Sequence, residues 1–281
     1  MKSTNISELY FLFLPKIYNM ILVNNTAQDS AGFSEKILET GLSIYEVIRI
    51  FNKKPIFLQD NLLRLDNSLK KSNIHLDPST LHLPDKLEHL IRLEHIEEGN
   101  VKYVLHFTNG QMTEYLYTIP HSYPSAEAYR KGIDTMTCQA VRQNPEVKYL
   151  NPALRNLTNR LIRDNHVYEV ILVDNEGYVT EGSRSNVFFI QEETLYTTPA
   201  AYVLPGTSRK RVFDICKTEK ISLEEKRIGL NTLSRYEAAF ITGTSPLILP
   251  IRRINSVLFH PDHPLLRRLM RSYFSLLEKT D

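Results

Sequence analysis

Four short stretches of this 281-residue chain carry side chains that could do chemistry together. Glu181 is a carboxylate in a predicted turn, a run of small and polar residues between two β-prone segments. Lys148 supplies an amine just before a predicted helix that Asn151 can cap. Two glycine-hydroxyl turns, Gly206-Thr207-Ser208 and Gly243-Thr244-Ser245, can offer backbone amides and hydroxyl groups to an anion. The chain therefore combines a carboxylate that needs a cation, an amine and two candidate anion sites.

Pyridoxal 5'-phosphate is one ligand that meets all of these demands. Its aldehyde condenses with a lysine, its phosphate suits glycine-hydroxyl turns, and its ring nitrogen needs a carboxylate to stay protonated. Each feature alone is weak evidence, because most lysines are surface charges and most Gly-Thr-Ser sequences are ordinary turns. The order and spacing of the four stretches give the interpretation its specificity.

In that order and spacing, the chain resembles the class IV, fold-type IV pyridoxal-phosphate enzymes. These include branched-chain aminotransferases, D-amino-acid aminotransferases and aminodeoxychorismate lyase. The resemblance is clearest over residues 147–251 and extends more thinly back to residue 44. Lys148-Tyr149-Leu150-Asn151 is similar to the family's Schiff-base lysine segment, and residues 180–188 are similar to its most recognisable signature. The resemblance implies a homodimer with the active site between two domains.

The resemblance also implies a role for each matching residue. Lys148 would form the Schiff base and shuttle the substrate's α-proton. Glu181 would bond the pyridine nitrogen, and Tyr45 would lie on the substrate side. The phosphate would be held by Arg64 and by both turns, through Gly206, Thr207, Ser208, Gly243 and Thr244.

The substrate remains open, because residues 103–114 contain no arginine where branched-chain and D-amino-acid enzymes use one for a substrate carboxylate. His106 or Arg184 could replace it, although His106 also fits a hydrogen-bonded strand residue. The lyase is expected to carry a threonine in the strand where this chain has Tyr45-Glu46-Val47, which favours an aminotransferase moving an amino group from a small amino acid to a 2-oxo acid. Aminodeoxychorismate lyase releasing pyruvate is the first alternative. A catalytically silent binding or structural dimer is the second, since a Gly-Asp-Gly run common in the family is also absent.

The elements that must position these residues point to an α+β fold. Asp60 is expected to cap one helix, and a second helix is predicted over residues 79–95. Asn109-Gly110 predicts a hairpin, and Arg142 to Pro145 is read as a turn. Predicted strands outnumber helices, hairpins are frequent, and no Gly-x-Gly-x-x-Gly or phosphate-loop motif supports a nucleotide-binding sheet. A break at Pro120 to Pro124 suggests a small α/β domain over residues 1–120, a linker over 121–132 and a larger cofactor-binding domain over 133–281. From the resemblance, the larger domain should form a pseudo-barrel of mostly antiparallel strands.

Composition excludes several function classes. A net charge of +2 gives no reason to expect nucleic-acid or membrane partners. The apolar segment near residues 9–14 is too short to span a bilayer and is expected to be an added strand or arm. Cys138 and Cys216 form no metal-ligand pair, and a reducing cytoplasm is expected. The sequence from His260 to His263 is interrupted by proline and is typical of a surface turn, so no metal site is predicted.

Overall fold

The computed structural model describes residues 19–121 and 123–278, so the apolar N-terminal segment lies outside the described residues. Six antiparallel strands form the first sheet. They are β1 (Met20–Val23), β2 (Thr26–Asp29), β3 (Leu42–Phe51), β4 (Lys54–Pro55), β5 (Gly99–Thr108) and β6 (Gln111–Ile119). The strand order is β2-β1-β6-β5-β3-β4. The long strands β3, β5 and β6 therefore pair side by side in the middle of this sheet.

Two helices, α1 (Leu58–Lys71) and α2 (Leu83–Leu93), cover one face of this sheet. Helix α1 begins two residues before Asp60, which was the expected cap; Phe57 takes a left-handed conformation at the N-cap and Asp60 lies in the first turn. The helix predicted for residues 79–95 is confirmed over Leu83–Leu93, and its predicted N-terminal part is wrong. A 3₁₀ turn precedes α2, and the two are separated because His82 also adopts a left-handed conformation (φ 48°).

The predicted hairpin at Asn109-Gly110 is confirmed. These two residues join β5 to β6 with φ angles of 51° and 74°. Positive φ at both central positions gives a turn whose twist matches that of the flanking strands, and asparagine followed by glycine tolerates it best. The local sequence alone therefore fixes the register of the β5–β6 pair.

Ten strands form the second sheet, most of them paired in antiparallel fashion. They are β7 (Ile133–Gln139), β8 (Glu169–Val173), β9 (Tyr178–Gly182), β10 (Asn186–Gln191), β11 (Thr194–Thr197), β12 (Ser222–Glu225), β13 (Ile228–Gly229), β14 (Ala238–Gly243), β15 (Leu247–Ile254) and β16 (Val257–Leu258). The order is β12-β11-β10-β14-β15-β7-β8-β9-β13, with β16 on β15. Strands β9 and β10 stand far apart in this order yet lie in contact, so the sheet curls into a half-barrel.

In the described part of the chain, four helices accompany the second sheet. They are α3 (Ala126–Lys131), α4 (Pro152–Asn165), α5 (Thr207–Glu219) and α6 (Pro264–Glu278). Helices α5 and α6 bury their apolar residues, among them Val212, Leu266 and Tyr273, against strands β14 and β15. Removal of such surface from water is the main force that closes this core. None of the described helices is both long and apolar enough to cross a membrane.

Two largely antiparallel sheets with flanking helices confirm the predicted α+β class. The first sheet ends at Ile119 and the second begins at Ile133. The division into domains 1–120 and 133–281 remains a prediction.

Candidate active site

A cavity of about 780 Å³ is lined by residues from both sheets. Ten of the eleven residues expected at the site line it. His106 does not. The ten are Tyr45, Arg64, Lys148, Glu181, Arg184, Gly206, Thr207, Ser208, Gly243 and Thr244.

Lys148 lies on the segment between β7 and α4, and hydrogen bonds join this segment to the first sheet. The amide of Tyr45 donates to the Lys148 carbonyl at 3.0 Å, and the amide of Leu150 donates to the Ser43 carbonyl at 2.9 Å. Just beyond, Asn151 caps α4 by accepting a hydrogen bond from the Leu154 amide at 3.0 Å. Lys148 is therefore fixed at the junction of the two sheets.

The side chains of Lys148 and Tyr45 face each other, with Lys148 Nζ 4.7 Å from the centre of the Tyr45 ring. Burial lowers the pKa of the Lys148 amine below its ordinary value of 10.5; Tyr45 opposes this effect and the charge of Arg64 adds to it. A lysine must lose its proton to act as a nucleophile or a base. The cavity therefore favours the reactive form of Lys148.

The pKa of the Tyr45 hydroxyl is lowered too, but by neighbouring charges and against the effect of burial. Burial alone would raise the pKa of its hydroxyl, but the surrounding cations, led by Lys148 and Arg155, outweigh burial and lower it from 10.0 to about 7. Tyr45 can therefore donate or accept a proton at neutral pH beside the Lys148 amine.

Glu181 is buried in strand β9 and not in a turn, which corrects the expectation from the sequence. The carboxylate accepts a hydrogen bond from Arg142 Nε at 2.6 Å and another from the Leu204 amide at 3.1 Å. Arg142, which the sequence placed in an ordinary turn, is thus a cation that Glu181 contacts within the protein. The two bonds hold the carboxylate at the cavity wall.

Arg64 projects from α1 and is paired with Glu46, a carboxylate that was not predicted from the sequence. Its Nε and Nη2 atoms donate to Glu46 at 2.8 and 2.5 Å, and Asn61 also donates to Glu46, at 2.8 Å. A third atom of Arg64, Nη1, donates to the Pro205 carbonyl at 3.4 Å, directly before helix α5. Arg64 is therefore held rigidly beside the first turn of α5.

The first turn of helix α5 faces the cavity through Gly206, Thr207 and Ser208. Gly206 is the N-cap and provides no side-chain cap, which leaves first-turn amides available to an anion. A Cβ atom on Gly206 would stand 2.1 Å from Asn186 Oδ1, so only glycine fits here without displacing Asn186. Thr242 of β14, which pairs with Asn186 of β10, also lines the cavity, and its buried Oγ1 atom has no hydrogen-bond partner among the described residues.

The two residues proposed for a substrate carboxylate lie in different places. Arg184 is exposed at the cavity, and its Nη2 atom donates to Asn159. His106 lies in β5 directly opposite Ser43 of β3, and its Nδ1 atom is 2.8 Å from the Ser43 hydroxyl oxygen. Burial lowers the pKa of His106, as expected for a neutral core histidine. The structure therefore does not bring His106 to this cavity.

Further charged residues at or beside the cavity were not predicted from the sequence, among them Glu46, Lys102, Arg142 and Arg155. Lys102, in β5, is buried and donates to Glu35 Oε1 at 2.9 Å. Two signals in the sequence mark some of these residues. Glu46 and Lys102 are charges within apolar strands, and Arg155 is a cation near the start of a helix, where negative charge is favoured. Within residues 19–121 and 123–278, no group of three potential metal ligands occurs, and His263 contacts Glu237.

The comparisons with known proteins agree with this geometry. A family profile described as amino-transferase class IV matches residues 43–254. A D-alanine aminotransferase of Bacillus licheniformis is 28% identical over 231 residues, covering 76% of this chain and 80% of that protein.

Solved structures give the same fold. A branched-chain amino acid aminotransferase from Escherichia coli has a TM-score of 0.81 at 21% identity and covers 92% of this chain and 95% of that one. A putative 4-amino-4-deoxychorismate lyase from Legionella pneumophila has a TM-score of 0.75 at 21% identity, with coverage of 90% and 97%. The expected fold type is thereby confirmed.

Proposed function

Because this chain belongs to the class IV aminotransferase family, we propose that it uses pyridoxal 5'-phosphate to transfer an amino group from a small amino acid to a 2-oxo acid. One observation carries the proposal: a lysine whose pKa is lowered by burial shares a single cavity with a fixed carboxylate and the first turn of a helix. Amine, carboxylate and anion site are the three contacts that this cofactor needs.

The donor set fits the phosphate end of the cofactor. The first turn of α5 offers amides and the hydroxyls of Thr207 and Ser208, and Arg64 adds a positive charge beside it. Thr242 Oγ1 is a buried hydroxyl without a partner in the described part of the chain, as expected where a polar group binds. Thr244 lies on the same wall. These residues would hold the phosphate.

At the other end of the cofactor, Lys148 Nζ would hold the aldehyde carbon and Glu181 would accept a hydrogen bond from the protonated ring nitrogen. When bound, the cofactor supplies a ring that accepts the electron pair left when the substrate loses its α-proton. Lys148 Nζ would take that proton and return it, and its lowered pKa suits both steps. The ring of Tyr45, whose centre is 4.7 Å from Nζ, would keep water away on the substrate side.

We propose that the working unit is a homodimer in a reducing, cytoplasmic compartment. Helix α4 supports the dimer, because its apolar residues Leu157, Leu161 and Ile162 remain half-buried in one chain. A second copy would cover them. Both cysteines are free thiols, which suits the compartment. Light scattering would test the assembly: a single chain at micromolar concentration would contradict it.

A half-reaction screen tests the catalytic proposal. Purified protein loaded with pyridoxal phosphate is mixed with single L- and D-amino acids while its visible absorption band is followed. Loss of the band with release of the matching 2-oxo acid is expected. Pyruvate release from aminodeoxychorismate instead would favour the lyase, and a protein that cannot be loaded would favour the silent relative.

Two variants make the screen specific. Lys148→Ala should lose the visible band and all turnover, since no other amine replaces Nζ at that position. Lys217→Ala is the matched control, because Lys217 is exposed on α5 and outside the cavity. Equal loss of activity in both variants would contradict the role of Lys148.

A further inference from the structure

Arg155 is a cavity cation that the structure leaves without a counter-charge. Lys102, Arg142 and Arg64 each have a carboxylate within 2.9 Å. Arg155 lines the same cavity and has no carboxylate within salt-bridge distance among the described residues. Its Nη1 atom is buried and has no hydrogen-bond partner in that part of the chain. A buried guanidinium donor without a partner costs free energy unless an anion binds there.

The position of Arg155 in its helix adds to this cost. Helix α4 starts at Pro152 and has no acidic residue in its first turn, and Arg155 stands one turn in, with its amide bonded to the Asn151 carbonyl. A cation there opposes the helix dipole, which favours negative charge at the N-terminal end. Both features raise the positive potential on this wall of the cavity.

The surroundings of Arg155 separate it from the phosphate end. It is close enough to stabilise the ionised forms of Tyr45 and Glu35, and to disfavour the charge on Arg184. The phosphate donors lie instead around α5, where Arg64 contacts Pro205. Arg155 therefore belongs to the Tyr45 side of the cavity, and Tyr45 is also in contact with the Lys148 amine.

Two neighbouring cations are less suited to bind a carboxylate. Lys102 already donates to Glu35 at 2.9 Å, and the Tyr117 hydroxyl donates to the same Glu35 oxygen at 2.7 Å. Arg184 is exposed and its guanidinium donates to Asn159, so water screens its charge. An exposed ion pair gains much less than one formed by a partly buried guanidinium.

We propose that Arg155 binds the carboxylate of the substrate, so that the enzyme accepts amino acids and 2-oxo acids and rejects simple amines. The inference rests on the proposed aminotransferase function and assigns the residue that recognises the carboxylate of its substrates. Arg155 takes the place of an arginine on the β5–β6 hairpin, since residues 99–119 contain none.

Binding of propionate to the pyridoxal-phosphate-loaded protein tests the inference without turnover. Propionamide is the uncharged counterpart, and line broadening in NMR titrations gives both affinities. Wild type should bind propionate at least about tenfold more tightly than propionamide. Arg155→Gln should reduce that preference to roughly twofold or less while keeping the visible band. Arg160→Gln, on the exposed side of the same helix, should retain it.

Several outcomes overturn the inference. One is a preference for propionate in Arg155→Gln that equals the preference of the wild type. Another is loss of this preference in Arg184→Gln but not in Arg155→Gln. If Arg155→Gln does not fold, Arg155→Lys is tested in its place. Lysine keeps the positive charge but lacks the planar fork of the guanidinium, so this variant should retain the preference for propionate only in part. An unchanged preference in Arg155→Lys counts against the assignment. Kinetics give a second readout: KM for the amino donor should rise about 10- to 100-fold with little change in kcat. A protein that never loads the cofactor refutes the proposed function instead.

Discussion

Replacement of Glu46 by glutamine probes the proposed phosphate site through folding stability. Glu46 and Arg64 have side chains only 1% and 6% exposed, and two hydrogen bonds of 2.8 and 2.5 Å join them. Breaking a buried pair by removing one charge costs about 3–5 kcal/mol, because the other charge stays buried and uncompensated. Glutamine keeps the shape and one acceptor oxygen, so we expect about 3 kcal/mol for Glu46→Gln in the protein without cofactor.

The cofactor should restore part of this loss. If Arg64 holds the phosphate, the bound dianion neutralises the guanidinium that Glu46→Gln leaves alone. Urea unfolding with and without pyridoxal phosphate should then show that the cofactor stabilises Glu46→Gln more than wild type, by at least about 1 kcal/mol. Glu97→Gln is the control, since Glu97 pairs with Lys53 at 3.6 Å on the surface and its loss should cost below about 1 kcal/mol. An equal effect of the cofactor on Glu46→Gln and wild type would refute the placement of the phosphate beside Arg64.

Two further predictions concern other walls of the cavity. The pKa of Tyr45 is about 7 in the folded chain, whereas its ordinary value is 10.0. Between these pH values the folded state therefore binds fewer protons than the unfolded state. The contribution of Tyr45 to the free energy of unfolding should rise as pH increases from about 7 to 10. Urea unfolding of Tyr45→Phe should lack that rise, and the variant should also lack the tyrosinate absorbance that titrates near the same pH. An unchanged pH dependence of stability in Tyr45→Phe would contradict the lowered pKa. Gly206→Ala should weaken cofactor binding about tenfold by displacing Asn186, whereas Gly32→Ala, which meets no atom within 4 Å, should not.

Local chemistry was enough to predict several elements from the sequence. Asn109-Gly110 forms the expected hairpin, and Asn151 with Pro152 starts α4, because turns and caps depend on residues a few positions apart. The spacing of Lys148, Glu181 and the two glycine turns also predicted residues that one cavity brings together. The family resemblance supplied their order, which short-range patterns could not.

The remaining parts of the site depend on contacts between distant residues. Arg142 meets Glu181 across 39 positions, and Glu46 meets Arg64 across 18, so neither pair follows from periodicity. Glu181 was placed in a turn because small residues surround it, yet pairing with neighbouring strands extends β9 through it. Gly182 beside it is small for a packing reason: a Cβ atom there would stand 2.1 Å from the Ser185 hydroxyl.

The central claim is that Lys148 Nζ holds pyridoxal phosphate, and borohydride labelling tests it most directly. The loaded protein is reduced, digested and mapped by mass spectrometry, with Lys102 as the internal comparison because it is the other lysine in the cavity wall. We predict one phosphopyridoxyl group per chain, on Lys148, and a visible band that disappears on reduction. A label on Lys102, labelling spread over surface lysines, or a protein that remains colourless with the cofactor would contradict the claim.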